Sequence, residues 1–106
     1  MHIETTPGSD RYVVTVSGEV DLANSPDLDA EIIAALESGT ESVVIDLTGV
    51  SFMDSSGLGV IVRALKRCRE ADKDLDLVIT NERVLKVFGI TGLDQVIPIH
   101  ASIQDI

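Results

Sequence analysis

The tetrapeptide Asp54-Ser55-Ser56-Gly57 places two hydroxyls and a carboxylate where an apolar stretch gives way to a helical pattern. Hydroxyls at a helix N-terminus can accept hydrogen bonds from backbone N–H groups that lack a partner within the helix. The helix dipole also favours negative charge there, so a phosphate added to Ser55 would be tolerated. Taken locally, the simpler interpretation is that Ser55 or Ser56 is an N-cap, which contributes about 1 kcal/mol to stability.

Nucleophilic catalysis by either serine is disfavoured by the residues around it. A serine esterase carries its nucleophile in the pattern G-x-S-x-G, and no glycine stands two residues before Ser55 or Ser56. His2 and His100 lie near the termini, and nothing in the sequence places either beside a serine as a general base. We therefore expect a protein that is not an enzyme.

Nucleotide and metal binding have weaker support in the sequence. Gly57-Leu58-Gly59 opens a helix that could hold a phosphate, but the chain has no G-x-x-x-x-G-K-[ST] and no lysine beside this loop. Cys68 is the only cysteine, and one thiol with two distant histidines is no metal site. Its spacing from the apolar residues of the same helix predicts a buried thiol. We expect no cofactor.

The composition sets limits on partners and on location. The formal net charge of the 106-residue chain is -10, so its surface repels phosphate backbones and anionic lipid, and we expect neither direct nucleic-acid binding nor membrane binding. No apolar run approaches the roughly 20 residues of a membrane-spanning helix. The segment Met1–Glu4 lacks the basic and apolar regions of a signal peptide. A cytoplasmic protein is expected.

Basic residues are concentrated in one part of this acidic chain. Five of the eight fall within eleven residues: Arg63, Lys66, Arg67, Arg69 and Lys73. Such a cluster is typical of a solvated helix face with cations near its negative C-terminal end. The alternative is a docking patch for an acidic partner.

Hydrophobic periodicity and turn residues predict alternating strands and helices. Helices are expected from a Ser25 cap to Gly39, after Gly57, and from an Asn81 cap through Phe88, with one or two helical turns in Ala101–Ile106. The predicted strands are His2–Thr6, Tyr12–Ser17, Val43–Leu47, Leu75–Thr80 and Val96–Ile99. This order predicts an α/β fold in one domain, residues 1–106. We expect a mixed four- to five-stranded sheet with a leading β-hairpin and helices mainly on one face.

Three segments of the chain resemble a known family. Val44–Leu47 followed by Val50–Val60, which contains D-S-S-G-L-G, is similar to the signature of STAS domains, specifically of the anti-sigma factor antagonists. Gly18–Leu22 resembles the family's earlier G-E-(apolar)-D element. Phe88, Gly92-Leu93 and Val96–Ile99 fall where the family has its closing pattern. The resemblance covers nearly the whole chain and implies the STAS fold.

The resemblance also implies roles for individual residues. Ser55 matches the phosphoacceptor, and Asp54 matches the aspartate that presents this serine and contacts the partner. Asp21 matches an aspartate in the first conserved loop, beside the phosphorylation site. Ser56 and Gly57 match the residues that turn the chain into the helix. These five residues are therefore the expected partner-binding site.

The partners that the resemblance implies are an anti-sigma factor that is also a serine kinase, using ATP and magnesium, and a serine phosphatase. Unphosphorylated antagonist binds the anti-sigma factor and releases a sigma factor, and phosphorylation ends that binding. A rival hypothesis is another STAS role, as a non-switching subunit of a lipid-transport ABC assembly or of a sensory scaffold complex, because these relatives share the fold.

Overall fold

The computed structural model describes all residues, Met1–Ile106, as one sheet with three α-helices. The strands are β1 (His2–Thr6), β2 (Arg11–Val20), β3 (Ser42–Met53), β4 (Asp74–Val78) and β5 (Ile99–His100). The helices are α1 (Ser25–Glu37), α2 (Ser55–Glu70) and α3 (Glu82–Thr91). Two short 3-10 turns, Leu93–Gln95 and Ile103–Asp105, complete the chain.

The five strands follow one another across the sheet in sequence order. β1 and β2 form the antiparallel hairpin, whereas β2, β3, β4 and β5 are parallel neighbours. Each crossover between parallel strands advances in the same direction, and such crossovers are nearly always right-handed. All three helices therefore lie on one face of a mixed sheet, and the predicted fold class is confirmed.

The core lies between this sheet face and the helices. It takes alternate residues of the strands, such as Val14 on β2 and Ile45 on β3, because side chains of a strand point to opposite faces. Ile32, Ile61 and Phe88 contribute one fully buried side chain from each helix. Branched aliphatic residues fill most of the remaining space.

Cys68 belongs to this core. Its side chain is buried, as the helical spacing predicted, and burial raises the pKa of its thiol to about 11. A thiol with so high a pKa is protonated at neutral pH and behaves as a small apolar side chain.

The strand β3 is longer than the predicted Val43–Leu47. It continues to Met53, and its register with β2 shifts twice, between Thr15 and Ser17 and again between Gly18 and Glu19 of β2. Each shift inserts one extra β3 residue, so the last buried positions of β3 are three residues apart instead of two. A strand is recognised in a sequence by buried residues at every second position. Because the spacing here is three, the sequence pattern predicted too early an end for the strand.

The last strand also differs from its prediction. Val96 and Ile97 were expected in a strand, but both of their backbone N–H groups donate to the carbonyl of Leu93 and hold them in a turn. Pro98 has no N–H to offer a neighbouring strand, and β5 begins only after it. Ile97 is nevertheless buried and closes the core at this edge.

The helix ends follow local hydrogen bonding. Asn81 caps α3 as predicted, accepting bonds from the N–H groups of Arg83 and Val84 at 2.9 and 3.2 Å. Ser25 was expected to cap α1, but it is already inside the helix, and the cap position belongs to Asn24. No helix of this fold has both the length and the apolar character needed to cross a bilayer.

Candidate functional site

Two loops meet where β2 and β3 end. Val20 and Met53 are register partners in these parallel strands, so Asp21 and Asp54, which follow them, leave the sheet side by side. The backbone N–H of Asp54 donates to the carbonyl of Val20 at 3.1 Å and fixes this arrangement. The site therefore lies at the carboxyl end of the sheet, where loops enter helices, as expected for sheets of this kind.

Asp54 is the N-cap of α2. Its Oδ1 atom accepts hydrogen bonds from the backbone N–H of Ser56 at 2.9 Å and of Gly57 at 3.3 Å, and the Ser56 hydroxyl donates to the same oxygen. The expectation that Ser55 or Ser56 would be the cap is wrong. The extended backbone of Asp54 brings its carboxylate over the first turn, and Ser55 is already the first helical residue.

These hydrogen bonds favour the ionised form of Asp54. The Ser56 hydroxyl has the largest effect in holding the pKa of this carboxyl below its ordinary value, although partial desolvation opposes the shift. The backbone amides of Gly57, Ser56 and Leu22 add smaller contributions in the same direction. Asp54 is consequently a fixed negative charge beside Ser55 at neutral pH.

The two adjacent serines have different environments. Ser55 is exposed, and its hydroxyl makes no hydrogen bond within the chain. Ser56 is half-buried and its hydroxyl is held by Asp54. Only the first hydroxyl is free to react with a group brought by another protein.

Gly57 allows α2 to begin tightly against the sheet. A Cβ at this position would lie 2.6 Å from Cγ of Met53 and 2.9 Å from Cγ1 of Val20. Both neighbours are buried core residues at the ends of β3 and β2. The absence of a side chain at Gly57 therefore sets the distance between the Ser55 loop and the sheet.

The polar groups of the loop that contains Asp21 form hydrogen bonds to one another. Asp21 Oδ1 accepts from the backbone N–H groups of Ala23 and Asn24 at 3.0 and 3.1 Å. The Asn24 side chain in turn accepts from the Asp21 N–H and donates to the carbonyl of Glu19, both at 2.9 Å. Sequence reasoning missed Asn24, although an aspartate and an asparagine three residues apart are a recognisable turn signal.

Two apolar side chains close to the ends of β2 and β3 are exposed. Leu22 is 76% exposed and Phe52 is 50% exposed, whereas Met53 between Phe52 and the site is buried. Phe52 also borders an open groove of about 400 Å³ with Glu19, Ser51, Met53, Arg83, Val84 and Val87. These exposed apolar side chains at the strand ends are available for contact with a partner protein.

Three residues of the basic cluster contact groups elsewhere in the chain: Arg63 and Arg67 of α2 contact α1, and Lys73, just after α2, contacts the loop between α1 and β3. Arg67 Nη1 lies 2.9 Å and Arg63 Nε 3.6 Å from the same carboxylate oxygen of Asp29 on α1. Lys73 donates to the backbone carbonyl of Thr40. Lys66 and Arg69 are exposed, as a solvated helix face predicts, whereas the other three cations have partners within the chain.

The ionised cap makes the stability of the protein depend on pH. Because the folded-state pKa of Asp54 lies below its unfolded value, the contribution of its charge is complete above the unfolded pKa of about 3.9 and is lost as the pH falls through the folded value. Asp54→Asn retains a cap oxygen without the charge. We expect its thermal midpoint to lie below that of the wild type at pH 6 and to approach it at pH 3.

Asp10→Asn removes the same charge from an exposed turn at the other end of the sheet and measures the effect of net charge alone. If the thermal midpoint of Asp54→Asn lay equally far below that of the wild type at both pH values, the role given to the ionised cap would be contradicted.

Comparison with known proteins agrees with this geometry. The family model of the STAS domain matches residues 1–106. An anti-sigma-B factor antagonist from Staphylococcus epidermidis is 37% identical over 104 residues, covering 98% of this chain and 96% of that protein. The crystal structure of an anti-sigma factor antagonist from Mycobacterium paratuberculosis has a TM-score of 0.90 at 26% identity, covering 98% of this chain and 88% of that one.

A further structure, of the Bacillus cell fate determinant SpoIIAA in the phosphorylated form, shares the fold with a TM-score of 0.77 at 21% identity, covering 98% of this chain and 95% of that one. The family match spans the whole sheet and both loops of the site, and the Staphylococcus relative aligns over almost its full length. The chain therefore belongs to the STAS domain family, among its anti-sigma factor antagonists.

Proposed function

We propose that this protein binds an anti-sigma factor through the surface around Ser55 and that phosphorylation of Ser55 ends the binding. The observation that carries the proposal is the contrast between the two serines: the Ser55 hydroxyl is exposed and unbonded, whereas Asp54 holds that of Ser56. A kinase can reach the first hydroxyl without disturbing the cap.

The partner surface consists of a polar centre and an apolar margin. Asp21, directly after β2, and Asp54, directly after β3, supply two carboxylates. The exposed side chains of Leu22 and Phe52 offer apolar area to a partner. Ser56 and Gly57 act on this surface indirectly, because they fix the start of α2. Exposed apolar residues beside fixed charges give both affinity and orientation.

The proposed kinase is the anti-sigma factor itself, with ATP and magnesium bound by that partner, and a serine phosphatase reverses the modification. In this proposal the chain supplies the acceptor hydroxyl. The names of its relatives as anti-sigma factor antagonists support the partner class, and a phosphorylated form of a protein with this fold supports the modification. The proposed place of action is the cytoplasm, where sigma factors work.

The test is a pull-down from the native lysate with unphosphorylated protein as bait. Retained proteins are identified by mass spectrometry, then ATP and magnesium are added and the intact mass of the bait is followed. We expect a small ATP-binding kinase to be retained, and to be released as the bait gains one phosphate. Ser55→Ala should retain the kinase and gain no phosphate, while Ser56→Ala should still be phosphorylated.

Two results would contradict the proposal. Retention of transporter or scaffold subunits, with no phosphate gained, would assign the chain to the rival STAS role. Phosphorylation of Ser55→Ala to the same extent as the wild type would place the acceptor elsewhere.

A further inference from the structure

Arg63 reaches back along α2 towards the residue that we propose is phosphorylated. Its Nη1 atom lies 3.3 Å from the position that a Cβ on Gly59 would occupy. Gly59 stands one helical turn after Ser55, and Arg63 stands one turn after Gly59. Because side chains on a helix lean towards its N-terminus, the guanidinium of Arg63 lies beside Gly59, a residue with no side chain to block it.

The existing ion pair of Arg63 can be given up at little cost. Asp29 on α1 is bound more closely by Arg67, at 2.9 Å, than by Arg63, at 3.6 Å. The Arg63 side chain is also 52% exposed, against 34% for Arg67. When Arg63 leaves, Asp29 therefore remains paired.

A phosphate on Ser55 would find two backbone donors of the first turn of α2 already in use. The N–H groups of Ser56 and Gly57 already donate to Asp54. The sequence alone suggested that these amides were available, so the structure changes the expectation for how a phosphate is held. The ionised Asp54 beside it would also repel the added charge, so a nearby cation would stabilise the phosphate.

Arg63 is the first basic residue of α2, and its guanidinium is the cationic group directed at this end of the helix. A guanidinium can give two parallel hydrogen bonds to a phosphate, which an ammonium group cannot do. The other cation near the site is Arg83, which lies in the groove beside Phe52 and shares it with Glu19.

We propose that Arg63 exchanges its contact with Asp29 for the phosphoryl group of Ser55 and holds that group against α2 above Gly59. No covalent bond changes in this step. The contact stabilises the dianionic form of the phosphoserine relative to the monoanion. The proposal rests on Ser55 being the phosphoacceptor.

The test uses protein in which phosphoserine is inserted at position 55 during translation, so that no kinase is needed. The second pKa of the phosphate, ordinarily about 6, is measured by phosphorus NMR titration. We expect Arg63→Gln to raise this pKa by about 0.5, the size of an exposed ion pair, and the difference to shrink in about 1 M salt.

Arg69→Gln is the matched control. It removes the same charge from an exposed position of α2 that is about 21 Å further along the helix from Ser55, and it should leave the phosphate pKa at the wild-type value. An unchanged pKa in Arg63→Gln would overturn the proposal, as would a rise in Arg83→Gln instead. Because the phosphate is built in, this outcome is independent of whether a cellular kinase modifies Ser55.

Discussion

Protein that carries phosphoserine at position 55 is expected to bind its anti-sigma factor about 100- to 1,000-fold more weakly than the unmodified protein, a loss of about 3–4 kcal/mol. The phosphate adds nearly two negative charges to a site where Asp54 is already ionised and Asp21 stands on the neighbouring strand end. The guanidinium of Arg63 can balance only one of these charges, and a charge left unpaired at a protein interface costs several kcal/mol, so one modification is sufficient. Isothermal titration calorimetry with the partner recovered by pull-down measures the change.

Two substitutions test whether the charge at position 55 causes the loss of affinity. Ser55→Ala should bind as tightly as the unmodified protein, and Ser55→Glu should bind weakly, although less weakly than the phosphoprotein because it adds only one charge. Ser9→Glu is the matched control, since Ser9 is an exposed serine in the turn at the opposite end of β2. Equal affinity of the unmodified and phosphorylated forms would count decisively against the switch.

Gly57→Ala is expected to lower the free energy of unfolding by about 1–2 kcal/mol. The new methyl group would overlap Met53 and Val20, at 2.6 and 2.9 Å, and overpacking of a tight core costs about 1–3 kcal/mol. The better helix propensity of alanine offsets at most about 1 kcal/mol of this. Urea unfolding followed by circular dichroism measures the difference. The displacement of α2 that relieves this overlap also moves the Ser55 loop away from the sheet, so partner affinity should fall as well.

Gly59→Ala tests the same substitution two residues later in the same helix. The only atom near a new methyl group is Nη1 of Arg63 at 3.3 Å, the end of a flexible exposed side chain that can move aside. Here the helix propensity of alanine dominates, and we expect stability to rise by up to about 1 kcal/mol. If both variants lost stability equally, close packing at Gly57 would not be the cause.

The sequence by itself determined the succession of strands and helices and the family. Periodic apolar residues and capping residues such as Asn81 act over a few neighbours, so their signals can be read without the fold. The segment from Asp54 to Gly59 indicated a candidate site for the same reason: a strand, a polar turn and a helix follow one another directly. The acidic charge likewise depends on composition alone.

Only the tertiary structure decided how the site is built. The two bulges that carry β3 on to Met53 arise from its pairing with β2, which lies more than twenty residues earlier in the chain. That pairing places Asp21 beside Asp54, and it sets the close approach that Gly57 must accommodate. None of these distances is encoded in a local pattern, because each joins residues from different elements.

The choice of cap was likewise outside the reach of the sequence pattern. Asp54, Ser55 and Ser56 are all good cap residues, and the extended backbone fixed by the Val20 carbonyl selects Asp54 among them. That selection ties up the hydroxyl of Ser56 and leaves that of Ser55 exposed. The sequence therefore determined which residues could act as the cap of α2 or as the exposed serine. The packing of α2 against two strand ends decided which residue took each role, because hydrogen-bond geometry depends on distances that only the folded chain sets.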